Sequence, residues 1–413
     1  MKKILFPFFV VLFVFNSLIA YTQNQPKTNY DENKVPTYTL PELLKTTNGK
    51  SITSVKEWEK IRRPELLSLF TEQMYGELPN QKIKATYNIV ESSSTALNGI
   101  AIRKQVEISF KHKGMERKAL MLMYLPNSTA KPAPVFLQFN FQGNQTVSND
   151  PSIIPSQHSD YPRGSKISRW PIEMIVKAGY GVATIHYFDF YPDQKERQPE
   201  SILPFFGYKS ETDLTNTDGQ AIAAWAWGYS RMMDYLVKDK QVDSKRVIVM
   251  GHSRLGKTAL WAGVNDKRFA MVISNNSGCG GAALSRRECG ETVNRINQQF
   301  PHWFCKNFRQ YHLKVQEMPF DQHQLLALVA PRPLYVASAV EDQWADPKGE
   351  FLSAAQAGEV YQLYGMKGLD TFTMPSVNQP IMNRIAYHIR TGKHDVTDFD
   401  WKNYILFADK WLK

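Results

Sequence analysis

Val247-Ile-Val-Met-Gly-His-Ser-Arg-Leu-Gly-Lys257 runs a series of apolar β-formers into a glycine, then places a serine between His252 and Arg254 and follows it with a second glycine. Thr258-Ala-Leu-Trp-Ala262 then continues with good helix formers. The stretch reads as strand, tight turn, helix. Gly251 and Gly256 remove the Cβ atoms that would obstruct so sharp a turn, which leaves a serine hydroxyl exposed at the end of a buried strand. Ser253 is therefore the candidate nucleophile. A Gly-x-Ser pattern also occurs in ordinary strand-to-helix turns, so the rest of the chain has to decide.

Upstream, three alternating segments predict strands: 85–90, 102–110 and 119–125, with turns at 92–99 and 111–114. They make an antiparallel start, and a helix over 64–74, stopped by Gly76, precedes them. The rhythm then changes. Continuous apolar strands at 135–139, 182–187, 247–250, 270–274 and 334–339 alternate with helices at 172–178, 221–237, 324–329, 351–364 and 399–412. Short apolar strands between helices imply a mostly parallel sheet covered on both faces. The pattern suits an α/β-hydrolase fold: a three-layer sandwich with a mostly parallel central sheet. Long loops at 141–170, 189–218 and 278–322 follow strands, where such sheets bind their ligands.

The ends of the chain carry a separate message. Met1-Lys-Lys and the apolar run 4–20 have the charged and hydrophobic regions of a signal peptide, with cleavage near Ala20, and predict a secreted or periplasmic protein. Pro7, Asn16 and Ser17 interrupt the run and argue against a permanent membrane anchor. Residues 21–50, polar and proline-spaced, read as an N-terminal leader segment, and 51–413 as a single catalytic domain, expected to be monomeric.

The formal net charge of +11 suits anionic polymers, but the basic residues are scattered and no nucleic-acid-binding motif accompanies them, so no nucleic-acid partner is expected. Three cysteines exclude a disulfide scaffold. Their spacing matches no zinc site, and neither metal nor cofactor is expected.

A serine hydroxyl needs a neutral histidine as base and a carboxylate to orient it, and in this fold both follow the nucleophile in the chain. The strand 334–339 ends at Val340-Glu341-Asp342, which puts a carboxylate on the loop at its carboxyl edge. Asp342 is the candidate acid, with Glu341 its neighbouring alternative; a turn aspartate is its plainer reading. The region Tyr387-His388-Ile-Arg-Thr-Gly-Lys-His394, read as the last sheet loop, offers two histidines. His394 follows Gly392 and sits closer to the final helix, whereas His388 has apolar neighbours that suit a packing role.

The ordered set Gly251-His-Ser-Arg-Leu-Gly-Lys257, Ser274-Asn-Asn-Ser-Gly-Cys-Gly-Gly281, Leu328-Val-Ala-Pro-Arg-Pro-Leu334 and Asp342-Gln-Trp-Ala-Asp-Pro347 resembles the bacterial branch of the glucuronoyl esterases, carbohydrate esterase family 15, from about residue 55 onward. The resemblance implies cofactor-free hydrolysis of 4-O-methyl-glucuronoyl esters joining glucuronoxylan to lignin alcohols. It matches Ser253 to the nucleophile, His394 to the base, and Arg254 to the arginine of the oxyanion hole. Lys257, Glu291 and Trp344 match residues that contact the sugar. An exposed arginine, a solvated charge or a loop-packing indole is the plainer account of these side chains.

Two positions depart from the family pattern. Asn276 stands where fungal members carry a glutamate acid, which puts the weight on Asp342. His252 and Asp395 stand where the bacterial branch has cysteines, so a disulfide is impossible there and a His252–Asp395 contact is the expected substitute. Two other functions fit a hydrolase fold: another carbohydrate esterase such as an acetyl xylan esterase, or a non-catalytic polysaccharide-binding protein.

Overall fold

The structure, a computed structural model, describes residues 27–127 and 131–413. The signal peptide expected at 1–20 lies outside the described residues. Ten strands form one sheet: β1 (Lys84–Ala96), β2 (Ala101–His112), β3 (Met115–Pro126), β4 (Ala133–Asn140), β5 (Gly181–His186), β6 (Val242–His252), β7 (Met271–Asn275), β8 (Leu334–Ala339), β9 (Ile381–Met382) and β10 (Ile385–Arg390). Their spatial order is β1-β2-β3-β5-β4-β6-β7-β8-β10-β9. Pairing is antiparallel from β1 to β5. It is parallel from β5 through β10. The helices that matter here are α1 (Arg63–Phe70), α2 (Ile172–Lys177), α3 (Ala221–Leu236), α4 (Arg254–Asn265), α5 (Val293–Gln299), α6 (Gln322–Ala327), α7 (Pro347–Leu363) and α8 (Asp398–Leu412).

Strands β4, β5, β7, β8 and β10 are buried at every position because both faces of the sheet are covered there. Successive side chains on a strand point to opposite faces. Val135, Leu137, Val247, Val249, Leu334 and Val336 pack on one face with Trp225, Leu260, Leu325 and Phe351 from α3, α4, α6 and α7. Phe136, Ile248, Met250, Tyr335 and Ala337 pack on the other with Ile175 of α2 and Trp401 and Phe407 of α8. The three-layer arrangement expected from the sequence is the one observed.

Four local expectations are corrected. Residues 387–390, read as part of the last sheet loop, belong to strand β10, paired in parallel with β8. Residues 92–96, read as turn, continue β1 opposite β2. The expected loop 278–322 contains α5, and helical turns extend α1 in both directions over 55–75 until Gly76, at φ 77°, ends them. The error at β10 has a physical cause: its polar His388 and Arg390 are buried and satisfied by tertiary partners, which a local hydrophobicity pattern cannot show.

The segment 27–52 is tied to this body by its backbone. Arg62 donates to the carbonyls of Leu43 and Glu42, and His323 Nε2 lies 2.9 Å from the Pro41 carbonyl oxygen. Leu43 and Ile52 are buried. No helix among the described residues is long and apolar enough to cross a membrane.

Candidate active site

β6 delivers Ser253 into a turn that few residues tolerate. Ser253 has φ 57° and ψ −131°, a conformation that costs a non-glycine residue about 1–3 kcal/mol. A Cβ on Gly251 would lie 1.9 Å from the Leu255 carbonyl oxygen, and one on Gly256 3.0 Å from Ser277 Cβ. The two glycines are needed for close approach, as the sequence suggested. The turn is pinned where the Ser253 N–H donates to the Asn275 carbonyl at 2.9 Å and the Gly256 N–H donates back to the Ser253 carbonyl at 2.8 Å.

The acid and the histidine are brought together by two loops that stay paired beyond their strands. Past β8 and β10, the Val340 N–H donates to the Arg390 carbonyl and the Glu341 N–H to the Gly392 carbonyl. Gly392 turns the chain at φ 102°. His394 Nδ1 thereby lies 2.6 Å from Asp342 Oδ2. With Asp342 ionised, Nδ1 carries the proton and Nε2 keeps its lone pair. Glu341 is exposed to solvent. His388 is fully buried between Tyr335 Oη at 2.8 Å and Asp400 Oδ1 at 2.9 Å, on the face of the sheet covered by α8. The geometry separates the two histidines: one faces a cavity, the other is locked in the core.

Ser253, Arg254, Lys257, Glu291, Asp342, Trp344 and His394 all line one cavity of about 290 Å³, together with Asn276, Phe300 and Trp303. The seven side chains proposed from the sequence for catalysis and sugar binding are therefore in one place, whereas Glu341 and His388 do not line this cavity. Lys257 is 4% exposed, donates from Nζ to the Ser277 carbonyl at 2.5 Å, and lies 3.6 Å from Glu291 Oε2. Burial raises the Glu291 carboxyl above its ordinary range, although the Lys257 charge opposes this.

Arg254 opens α4 and is held from several sides. Its Nε lies 2.7 Å from Asp193 Oδ2, and its guanidinium sits over the rings of Phe141, Tyr187 and Trp303 at 4.9, 5.6 and 5.8 Å. Asp193 also accepts from Trp303 Nε1 at 2.6 Å and faces His302 Nε2 at 2.9 Å. Burial would raise the Asp193 carboxyl, but the His302 hydrogen bond and the Arg254 charge outweigh it and hold the group below the carboxylate range.

The sequence reading missed Asp193 and Trp303, because both come from long loops and nothing local marks them. It also gave Asn276 no role. Asn276 Nδ2 donates to Asp342 Oδ2 at 2.7 Å, the oxygen that also receives His394. Deeper still, Glu350 accepts from the N–H groups of Ser277 and Gly278 and from Ser338 Oγ. Full burial, reinforced by the Asp342 charge, pushes its carboxyl up to about 8 against these hydrogen bonds.

The His252–Asp395 contact is corrected. His252 Nδ1 bonds Asn275 Oδ1 at 2.6 Å, while Asp395 pairs with Arg169 at 2.5 Å. The His252 ring packs instead against His394, with centroids 4.4 Å apart. Burial, then the neighbouring His394 and Arg169, hold His252 well below the histidine range, so it stands as a neutral ring beside the base.

The arrangement combines a strained serine, a carboxylate-oriented histidine and an arginine at a helix N-terminus, and known proteins share the chain that builds it. A family model described as "Glucuronyl esterase, fungi" matches residues 108–365. A carbohydrate esterase of an unknown prokaryotic organism is 47% identical over 398 residues, covering 92% of this chain and 91% of that protein. A 4-O-methyl-glucuronoyl methylesterase of Wolfiporia cocos is 30% identical over 264 residues, 59% of this chain and 64% of its own. The solved glucuronoyl esterase of Solibacter usitatus superimposes with a TM-score of 0.88 at 47% identity, covering 92% of this chain and all of the other. With half of the chain matched by the family and nearly all of it by a close relative, this protein belongs to the glucuronoyl esterases of carbohydrate esterase family 15.

Proposed function

We propose that this protein hydrolyses 4-O-methyl-glucuronoyl esters through Ser253, His394 and Asp342. The observation that carries the reading is the 2.6 Å contact of His394 Nδ1 with Asp342 on the wall of the cavity that Ser253 lines. His394 Nε2 takes the Ser253 proton as Oγ attacks the ester carbonyl carbon. The carbonyl oxygen gains negative charge opposite the Arg254 backbone N–H and guanidinium, where the N-terminus of α4 adds a favourable field. The tetrahedral adduct collapses, His394 gives its proton to the departing alcohol, and an acyl-enzyme is left. Water then loses a proton to His394, attacks the acyl carbon, and releases glucuronate with Ser253 restored.

Lys257, Glu291 and Trp344 hold the sugar: an ammonium and a carboxylate address hydroxyls, and the indole supplies a flat apolar face. Residues 51–413 form the catalytic domain, 1–20 direct export, and the mature enzyme works as a monomer on ester linkages of glucuronoxylan to lignin alcohols. Extracellular polymers are accessible only to an exported enzyme, which makes the two parts of the reading consistent.

Turnover of benzyl glucuronate is the test, beside an acetylated sugar as competitor. Ser253→Ala and His394→Ala should each lose about 10⁶-fold in kcat. His388→Ala should retain the larger part of the activity of whatever enzyme folds. Preference for the acetyl ester would sink the glucuronoyl assignment, and full activity in Ser253→Ala would sink the serine mechanism.

A further inference from the structure

Asn29-Tyr-Asp-Glu32, far ahead of the first strand in the chain, is bonded to the two loops that carry Glu291 and Trp344. The stretch builds its own small turn. The Asp31 N–H donates to Asn29 Oδ1 at 2.9 Å, and Asp31 Oδ1 accepts from the Asn33 N–H at 3.0 Å, which caps the helical turn Glu32–Lys34. Asn29 and Glu32 both follow the cleavage point expected near Ala20, so they belong to the mature chain.

The two loops already touch each other at one point. The Glu291 N–H donates to the Trp344 carbonyl at 2.8 Å. Gly290, at φ 67°, comes so close that a Cβ there would lie 2.5 Å from the carbonyl oxygens of Gln343 and Trp344. Asn29 fixes the first loop, because its carbonyl accepts from the Gly290 N–H at 2.8 Å, next to Glu291. Glu32 engages both. Its Oε2 accepts from Arg287 Nη2 at 2.7 Å, on the Glu291 loop, and its Oε1 lies 2.8 Å from Lys348 Nζ, just past Trp344. The buried Arg287 also donates from Nε to Asp346 Oδ2 at 2.8 Å, and Asp346 caps α7 by accepting from the Gly349 N–H at 3.0 Å. Partial burial would raise the Glu32 carboxyl, but Arg287 and Lys348 outweigh it and hold the group below the carboxylate range. An ionised Glu32 thus joins the N-terminal segment to both loops through Arg287 and Lys348.

The catalytic groups are held by other bonds. Asn276 fixes the Asp342 carboxylate, the backbone of Arg390 and Gly392 fixes its loop, and the Asn275 carbonyl fixes the turn at Ser253. None of these bonds involves Glu32.

We infer that Glu32 is a positioning residue for substrate binding: through Arg287 and Lys348 it holds the Glu291 and Trp344 loops at the spacing that admits the sugar acid, and it takes no part in the chemical step. The inference rests on the sugar-contact roles proposed above for Glu291 and Trp344. Contacts made equally with the ground state and the transition state set KM and leave kcat alone.

The test is steady-state turnover of benzyl glucuronate by Glu32→Lys, Glu32→Ala and Glu32→Gln in the mature chain, with Trp344→Ala beside them. Glu32→Lys sets a third cation against Arg287 and Lys348. It should raise KM about three- to tenfold, and Glu32→Ala by less, both with kcat within about twofold of wild type. Glu32→Gln keeps an acceptor for Arg287 and should fall between wild type and Glu32→Ala. KM does not depend on the fraction of molecules folded, so partial unfolding cannot imitate this result. Glu32 is half-exposed, and its alanine variant keeps the measurement available if Glu32→Lys fails to fold. Unchanged KM in the lysine and alanine variants, whether with a lower kcat or only a lower midpoint in urea, would overturn the inference and leave the esterase reading intact. Wild-type KM in Trp344→Ala would remove the sugar-contact roles on which it rests. A wild type inert towards the ester would bring down the esterase reading as well.

Discussion

Asn276 Nδ2 donates to Asp342 Oδ2 at 2.7 Å, and the same oxygen lies 2.6 Å from His394 Nδ1. One carboxylate oxygen thus receives both hydrogen bonds, and the asparagine, held by its N–H on the Ala337 carbonyl at 2.7 Å, fixes where that oxygen points.

Replacing Asn276 with alanine should therefore lower kcat by about tenfold with little change in KM, since the loss is in the orientation of the base. Asn276→Asp should be worse, because a second carboxylate would face Asp342 at hydrogen-bonding distance and one of the two would have to stay protonated. Steady-state kinetics on benzyl glucuronate would check both. Equal activity in all three proteins would remove Asn276 from the machinery.

Asp193 holds Arg254 through an ion pair and also engages Trp303 and His302. Asp193→Ala should free the guanidinium from the position it holds over the Phe141, Tyr187 and Trp303 rings and cost about 10²-fold in kcat, as loss of an oxyanion donor does. A fall in stability with unchanged kcat per folded molecule would mean that Asp193 only packs the loop.

Glu350 gives a pH dependence with a definite sign. Its carboxyl is raised by burial to about 8 in the folded protein, well above the ordinary 4.5. The folded state therefore binds the extra proton between those values. The stability this contributes is complete below about pH 4.5, declines as pH rises, and is gone above about 8. Glu350→Gln keeps an oxygen for the N–H groups of Ser277 and Gly278 and an amide for Ser338, with no proton to lose. Relative to wild type, it should gain stability from pH 5 to pH 8, by at most about 1.4 kcal/mol per pH unit. Urea melts at several pH values would show it, and parallel curves for the two proteins would contradict it.

Arg390 ties the histidine loop to the core. Its Nε donates to Asp400 Oδ2 at 2.7 Å, and its terminal nitrogens donate to the carbonyls of Thr391, Lys393 and Asp395, on either side of His394. Truncating it leaves Asp400 buried beside His388 without its cationic partner. Arg390→Ala should cost about 3–5 kcal/mol of stability, measurable as a lower midpoint in urea. In the folded fraction, kcat should fall more than KM changes. A midpoint within error of wild type would mean that the loop is held by its backbone alone.

The local sequence was enough for the turn at Ser253, the antiparallel start, the parallel strands and the export signal as a proposal, because each depends on a short-range pattern: glycine at a close approach, alternation, or a continuous apolar run. The order of Ser253, Asp342 and His394 along the chain was equally legible. The sequence favoured His394 over His388, and only the tertiary structure shows that β10 buries His388 while the Gly392 turn lifts His394 to the cavity. It also supplied Asp193, Trp303 and Glu350, and broke the expected His252–Asp395 pair in favour of Asn275 and Arg169. Hydrogen bonds and ion pairs between residues distant in the chain leave no periodic trace in it. Burial, which gives them their strength, exists only after the sheet and its two helical layers have closed over them.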